Sequence, residues 1–162
     1  MSIRILICDD HRIIREGLRS LLEKQTDMEI VGEGTNGFEA CKLAAKLSPD
    51  IIVLDVAMPD LNGIAAARRI CEETPSAKIL ALSMHSDHHF ITGMLQAGAS
   101  GYLLKDCAFN ELTTAIRTIM NGGMYVSPQI AGDVLKVFTK KQATPAKRTK
   151  WNCPRVNRKF CN

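Results

Sequence analysis

The chain has no apolar run near the ~20 residues that a membrane-spanning helix requires. Its opening, Met1-Ser2-Ile3-Arg4-Ile5-Leu6-Ile7, is too short an apolar stretch for a secretory leader, and acids follow at Asp9 and Asp10. These absences predict a soluble, cytoplasmic protein. The six cysteines, at 8, 41, 71, 107, 153 and 161, form no CxxC pair, and no histidine cluster completes a zinc spacing. Cys8, Cys41 and Cys71 lie in apolar stretches and read as small buried hydrophobes in a reducing compartment. No Gly-rich loop follows the first apolar run, which argues against a nucleotide-binding module. There is no internal repeat. Residues 139–162 contain no acid at all.

What is present suits one ordinary domain with an appendage: 162 residues, 46% hydrophobic and 23% charged. A chain of this size can bury a core without disulfide or metal staples. The net charge of +4 conceals a split. Residues 1–138 carry 13 Lys/Arg and all 17 Asp/Glu, a net −4, whereas residues 139–162 carry 8 Lys/Arg, a net +8. An acidic body therefore bears a basic tail, which either is solvated and disordered or touches nucleic acid without sequence preference.

Short apolar runs alternate with helical patterns over the first 125 residues. Ile3–Cys8, Ile51–Leu54, Lys78–Ser83 and Gly101–Leu104 show no polar alternation, as expected of strands covered on both faces of a parallel sheet. Glu29–Gly32 is a weaker run, suited to an edge. Between the runs lie helical stripes: Ile14, Leu18, Leu21 and Leu22; Phe38, Leu43, Ala44 and Leu47; Ile64, Ala67, Ile70 and Cys71; Ile91, Met94 and Leu95; Leu112, Ile116, Ile119 and Met120. Five strands alternating with five helices predict a doubly wound α/β domain built on a five-stranded parallel sheet. Its ligand site should lie beyond the carboxyl ends of the strands. Pro128 can open a further helix over 128–141, with Ile130, Ala131, Val134, Leu135 and Phe138 on one face.

Polar residues concentrate at those strand ends. Asp9 and Asp10 follow the first predicted strand, Asp55 the third, Ser83 closes the fourth, and Lys105 follows the fifth. Carboxylates packed together repel and raise one another's pKa, and a divalent cation relieves the repulsion. Hard oxygen donors point to Mg²⁺. With the cation present, Asp55 can act as a nucleophile toward a phosphoryl group, while Lys105 and the Ser83 hydroxyl hold phosphoryl oxygens. Each residue taken singly has a plainer reading: Asp9 and Asp10 as caps for a helix starting at His11, Lys105 as a surface residue, Ser83 as a turn residue. Their joint placement favours the phosphoryl site. Gly63 is expected to serve a turn beside the acids.

On ILICDDHRIIREGLRSLL, IIVLDVAMPDLNGI, ALSMHS and QAGASGYLLKD, residues 1–125 resemble the receiver domain of a two-component response regulator. The DDH opening and the final GYLLKD resemble the NarL/FixJ subgroup, whose members usually carry a C-terminal LuxR-type helix-turn-helix. The resemblance implies a flavodoxin-like (βα)5 receiver fold. It implies Asp55 as phosphoacceptor, with Asp9, Asp10, Asp55 and the backbone carbonyl of Ala57 binding Mg²⁺. Ser83 and Lys105 match the switch hydroxyl and the lysine, and Tyr102 the aromatic switch position. Tyr102 taken alone reads as a half-buried strand aromatic. The phosphoryl donor would be a phosphohistidine on a sensor histidine kinase. Phosphorylation would add ~1.5–2 negative charges, draw Ser83 inward and let Tyr102 rotate, biasing the surface of the fourth helix, fifth strand and fifth helix. His85, His88 and His89 are expected in a loop near the site, with His85 tuning hydrolysis of the phosphoaspartate.

Three segments are therefore expected: a receiver over 1–125, a linker helix over 126–141, and a basic tail over 142–162. Only 24 residues follow Phe138, and KRTKWNCPRVNRKFCN resembles no helix-turn-helix. Pro154 would interrupt a helix through it. The expectation is a chain without a working DNA-binding domain, whether truncated, frameshifted or naturally stand-alone. DNA becomes a partner only if a longer natural form carries the output domain. A homodimer through the receiver surface or the linker helix is a further expectation. The competing reading is a Mg²⁺-dependent phosphatase that passes through an aspartyl-phosphate, but the DxDxT pattern on the first strand that such enzymes use is absent. The favoured reading is a phosphoacceptor switch and not an enzyme.

Overall fold

The computed structural model describes residues 2–84, 88–132 and 134–135. Strands and helices alternate in chain order: β1 (Ile3–Cys8), α1 (Arg12–Glu23), β2 (Met28–Gly34), α2 (Gly37–Leu47), β3 (Ile51–Asp55), α3 (Gly63–Glu73), β4 (Lys78–Ser83), α4 (His88–Gln96), β5 (Gly101–Leu104), α5 (Lys105–Met120) and β6 (Tyr125–Val126). The sheet order is β2-β1-β3-β4-β5-β6, with every pairing parallel. This is the doubly wound receiver-type fold expected from the sequence. The continuous apolar runs become the central strands: all five residues of β3 are buried, as are five of the six in β4. The weaker run lies in β2, at the edge.

The sheet has one strand more than the five expected. β6 is two residues long and pairs with Gly101 and Tyr102 of β5. Ser127 fixes this edge, its backbone N–H donating to Tyr102 O at 3.0 Å and its Oγ accepting from Leu104 N at 3.0 Å. A two-residue strand has no periodicity to betray it, and Gly122-Gly123 just before it reads only as the end of α5.

Alternate strand residues face opposite layers. Ile5, Ile7, Ile51, Val53, Leu80 and Leu82 pack with Leu18 and Leu22 of α1 and with Leu112, Ile116 and Ile119 of α5. The helices α2 and α3 bury small residues instead: Ala40, Cys41 and Ala44, then Ala66 and Ala67 with Ile70. Here the expected stripe on α2 is corrected, because Phe38 is exposed. The cause is a close backbone approach. A Cβ on Gly37 would lie 2.0 Å from Leu61 O, so the start of α2 sits against the β3–α3 loop with no room for a large side chain on that face. Cys8 and Cys41 are buried free thiols as expected, whereas Cys71 is only half-buried.

The chain divides into two units, Met1–Ser127 and Pro128–Asn162. In the second, Pro128–Ile130 forms a 3-10 turn, and the described residues at 131–132 and 134–135 are helical. The helix expected over 128–141 thus opens as a 3-10 turn. Its part beyond Leu135 and the basic tail over 142–162 lie outside the described residues. No helix among the described residues is long and apolar enough to cross a membrane.

Candidate functional site

The strand order reverses direction between β1 and β3, and the carboxyl ends of these two strands carry the acids. Cys8 pairs with Leu54, so the residues that follow them, Asp9 and Asp55, emerge side by side. On the next strands Asp55 pairs with Leu82 and Ser83 with Leu104, which brings Ser83 and Lys105 to the same rim. Register alone therefore assembles residues 9, 55, 83 and 105. Asp9, Asp55, Ser83 and Lys105 are all buried.

No loop separates β5 from α5, so Lys105 is both the residue after the strand and the first of the helix. Its Nζ lies 2.9 Å from Asp9 Oδ2 and 3.2 Å from Asp55 Oδ2. The β3–α3 loop is held close by Gly63, where a Cβ would sit 2.2 Å from Asp55 O. That contact explains the glycine in MPDLNG: any side chain would push the loop off the strand end. Ala57 in this loop donates its backbone N–H to Asp55 Oδ1 at 3.2 Å.

Asp9 does not cap α1. The N-cap residue is His11, whose side chain makes no capping bond. Asp9 Oδ1 instead accepts from the His11 backbone N–H at 2.8 Å, and Arg15 Nη1 donates to Asp9 O at 2.6 Å. These bonds turn the chain sharply after β1 and drive the His11 ring back over the acids. His11 Nδ1 lies 3.0 Å from Asp9 Oδ1, 3.2 Å from Asp10 Oδ1 and 4.0 Å from Asp55 Oδ2. It also lies 3.3 Å from Lys105 Nζ. Neither His11 nor Arg15 was singled out by the strand-end reading. The only signal was the position of His11 directly after the acid pair.

The electrostatics of the pocket are incompletely balanced. Asp9 Oδ2 and Asp55 Oδ2 are buried and share one ammonium, that of Lys105, at 2.9 and 3.2 Å, with no other partner among the described residues at hydrogen-bond distance. Asp55 is raised from its ordinary 3.8 to about 7, first by burial and then by the charge of Asp9; Lys105 and the Ala57 N–H pull it back down only in part. Asp9, Asp10, His11 and Asp55 each offer a ligand atom, and all four atoms lie within 4.8 Å of one another. Clustered carboxylates that share a single ammonium are a donor set that fits a divalent metal ion. Beside them a cavity of about 200 Å³ is lined by His11, Ile14, Met84 and Lys105.

Tyr102 on β5 is fully buried, not half-buried. His88 and His89 open α4 rather than lying in a loop, and their rings meet edge to face at 6.5 Å. His85 lies outside the described residues.

A family model for the response regulator receiver domain matches residues 5–117. The chain is 37% identical over 137 residues to the transcriptional regulatory protein DegU of Brevibacillus brevis, covering 85% of this chain and 58% of that protein. It is 40% identical over 133 residues to the transcriptional regulatory protein LiaR of Bacillus subtilis (strain 168), covering 82% of this chain and 63% of that one. The chain thus spans less than two thirds of the length of these curated relatives. Among solved structures, it is similar to a LuxR-family two-component response regulator from Aurantimonas sp. SI85-9A1, with 37% identity, a TM-score of 0.80, and coverage of 86% of this chain and 99% of the other. It is also similar to the response regulator domain of Thermotoga maritima CheB, at 30% identity and a TM-score of 0.70, covering 75% of this chain and 98% of that one.

Proposed function

The chain belongs to the family of response regulator receiver domains, and we propose that it accepts a phosphoryl group on Asp55 from a phosphohistidine of a sensor histidine kinase. The observation that carries this reading is the buried juxtaposition of Asp9, Asp55 and Lys105, in which two carboxylates share a single ammonium. In the transfer, a carboxylate oxygen of Asp55 forms a bond to phosphorus as the phosphorus–nitrogen bond breaks. The electron pair returns to the donor imidazole, and an acyl phosphate remains on Asp55. Asp9, Asp10, Asp55 and the backbone carbonyl of Ala57 would hold Mg²⁺, which supplies charge neutralisation for the carboxylates and the phosphoryl oxygens. Lys105 holds a phosphoryl oxygen as a compact cation, and burial of the pocket strengthens that attraction. Ser83 donates its hydroxyl to another oxygen. Inward movement of Ser83 and the fully buried setting of Tyr102 then bias the α4–β5–α5 surface between two packings.

In this reading the chain is a cytoplasmic switch whose chemistry is confined to its own phosphorylation and dephosphorylation. A homodimer through the receiver surface or the linker segment would be its output contact, and DNA binding would belong to a longer form with an output domain. The test is mass spectrometry after incubation with acetyl phosphate and Mg²⁺. One added phosphoryl is expected in the wild-type chain and none in Asp55→Ala. No gain in the wild type overturns the proposal, and sustained turnover of small phosphate esters would favour a phosphatase instead.

A further inference from the structure

We propose that Ser127 is a positioning residue for the phosphoryl site: its hydroxyl fixes the end of β5, and through it the Lys105 ammonium between Asp9 and Asp55. The inference deepens the receiver reading and rests on it. Its basis is a departure from the regular ladder between β5 and β6. In a parallel pair, a residue donates its N–H to the neighbouring strand and accepts with its own carbonyl from the residue two positions further along that strand. Ser127 makes the first bond in the regular way, its N–H donating to Tyr102 O at 3.0 Å. The second bond, donated by Leu104 N, goes to Ser127 Oγ at 3.0 Å. β6 has ended at Val126, and Pro128 opens a 3-10 turn. A hydroxyl thus takes the place of the ladder's next carbonyl. Ser127 is fully buried, so water does not stand ready to replace it.

What this bond holds is the end of the strand that delivers the lysine. Leu104 is the N-cap residue of α5, and no loop separates β5 from that helix. On its other side Leu104 pairs with Ser83 of β4. The tip of β5 is therefore held from both flanks, by Ser83 on one and by Ser127 on the other. The outer flank is closely fitted, since a Cβ on Gly101 would lie 2.7 Å from Tyr125 O.

The lysine has little freedom to absorb a shift of that tip. Its Nζ lies 2.9 Å from Asp9 Oδ2 and 3.2 Å from Asp55 Oδ2, and its side chain is 4% exposed. A stem packed on all sides has few rotamers with which to compensate for movement of its own backbone. Displacement of Leu104 is consequently passed to the ammonium that is to hold a phosphoryl oxygen. Tyr125 supplies a contrast on the same edge. Its hydroxyl donates to Glu111 Oε1 of α5 at 3.0 Å and makes no bond to the tip of β5.

The test compares Ser127→Ala with Tyr125→Phe in the full chain. Asp55 phosphorylation by acetyl phosphate in excess Mg²⁺ is followed by mass spectrometry. Ser127→Ala should slow it by about tenfold or more, and Tyr125→Phe by less than about twofold. Equal slowing by the two variants, or none by Ser127→Ala, overturns the proposal. Calorimetric titration with MgCl2 separates positioning from general loosening, because the acids bind the ion and the ammonium does not. Mg²⁺ affinity should not fall in Ser127→Ala, and a loss in parallel with the phosphorylation rate overturns the assignment. A measurement on the unmutated protein guards against loss of folding in the variants. The Leu104 amide should exchange with solvent at least about a hundredfold more slowly than an unprotected amide, and unprotected exchange refutes the inference. If the wild type is phosphorylated while these tests fail, only the role of Ser127 falls. If the wild type takes up no phosphoryl group, the receiver reading falls and this inference with it.

Discussion

Two groups of charged residues in this chain use the same side chains to opposite ends. On the surface, Arg117 pairs with Asp27 through contacts of 3.0 and 3.1 Å and also donates to Gln25. Arg69 pairs with Glu73 one turn along α3 at 3.2 Å. These carboxylates have matched partners, and the Arg117 hydrogen bonds hold Asp27 below the usual carboxylate range. In the pocket, two buried carboxylates share one ammonium, and Asp55 is pushed up to about 7. Water and one-to-one pairing make the surface charges cheap and interchangeable. Burial and a two-to-one mismatch make the pocket unstable toward any change of charge. The proposed phosphoryl transfer to Asp55 would use that sensitivity, whereas the surface pairs lack it.

The largest test of the contrast is Lys105→Met, which keeps the aliphatic stem and deletes the charge. Asp9 and Asp55 then face each other without a counter-ion, and the expected loss is about 3 kcal/mol of folding stability at pH 8 in metal-free buffer. The urea midpoint reports it. The loss should shrink toward pH 5, where Asp55 can take up a proton in place of the missing ammonium. A midpoint unchanged at pH 8 would show that the pocket is no more sensitive than the surface.

Asp55→Asn tests the same mismatch from the other side, and its effect is a gain. The folded pKa of Asp55 is raised from 3.8 to about 7, so the folded state holds a proton that the unfolded state has lost between these two values. Wild-type stability on this account falls as pH rises from about 4 to about 7 and then levels. Asparagine keeps the shape and has no such penalty. The variant should therefore melt higher than the wild type at pH 8 without metal, by an amount corresponding to about 1–3 kcal/mol. The gap should narrow at pH 5 and on addition of Mg²⁺ to the wild type. A higher melting point for the wild type at pH 8 would contradict the assigned direction.

The difference between the two groups also marks what could be read from the sequence. Ile51–Leu54 and Lys78–Ser83 were legible as central strands because a strand buried on both faces shows as a run without polar alternation, and β3 extends the first by one residue to Asp55. Once the strands were placed, the meeting of Asp9, Asp55, Ser83 and Lys105 followed from their common position at the carboxyl ends, since parallel register carries strand ends to one rim. The inner face of α2 was misjudged because Phe38 is apolar yet exposed, while Gly37 and Ala40, which carry no strong hydrophobic signal, make the contact. Tyr125–Val126 went unnoticed as a strand because two residues show no period. His11 could not be placed over the acids from spacing, because its direction depends on a hydrogen bond from its own N–H to Asp9. Periodicity reports which face a residue occupies and is silent on the tight turns that aim individual side chains.

The smallest expected effect belongs to Arg69→Gln, which deletes one surface charge while keeping a long side chain of similar helix propensity. Arg69 and Glu73 are each half-exposed, and four-residue helical pairs of this kind contribute only about 0.3–0.5 kcal/mol. The urea midpoint should move by that amount at low salt and return to the wild-type value in 1 M NaCl, where screening acts over ~3 Å. High salt should leave most of the Lys105→Met deficit in place, because Asp9 and Asp55 are almost wholly buried and buried charges are screened much less than exposed ones. If instead one molar salt abolished both effects, the buried pair would be electrostatically open to solvent, and the distinction between a responsive pocket and an indifferent surface would collapse.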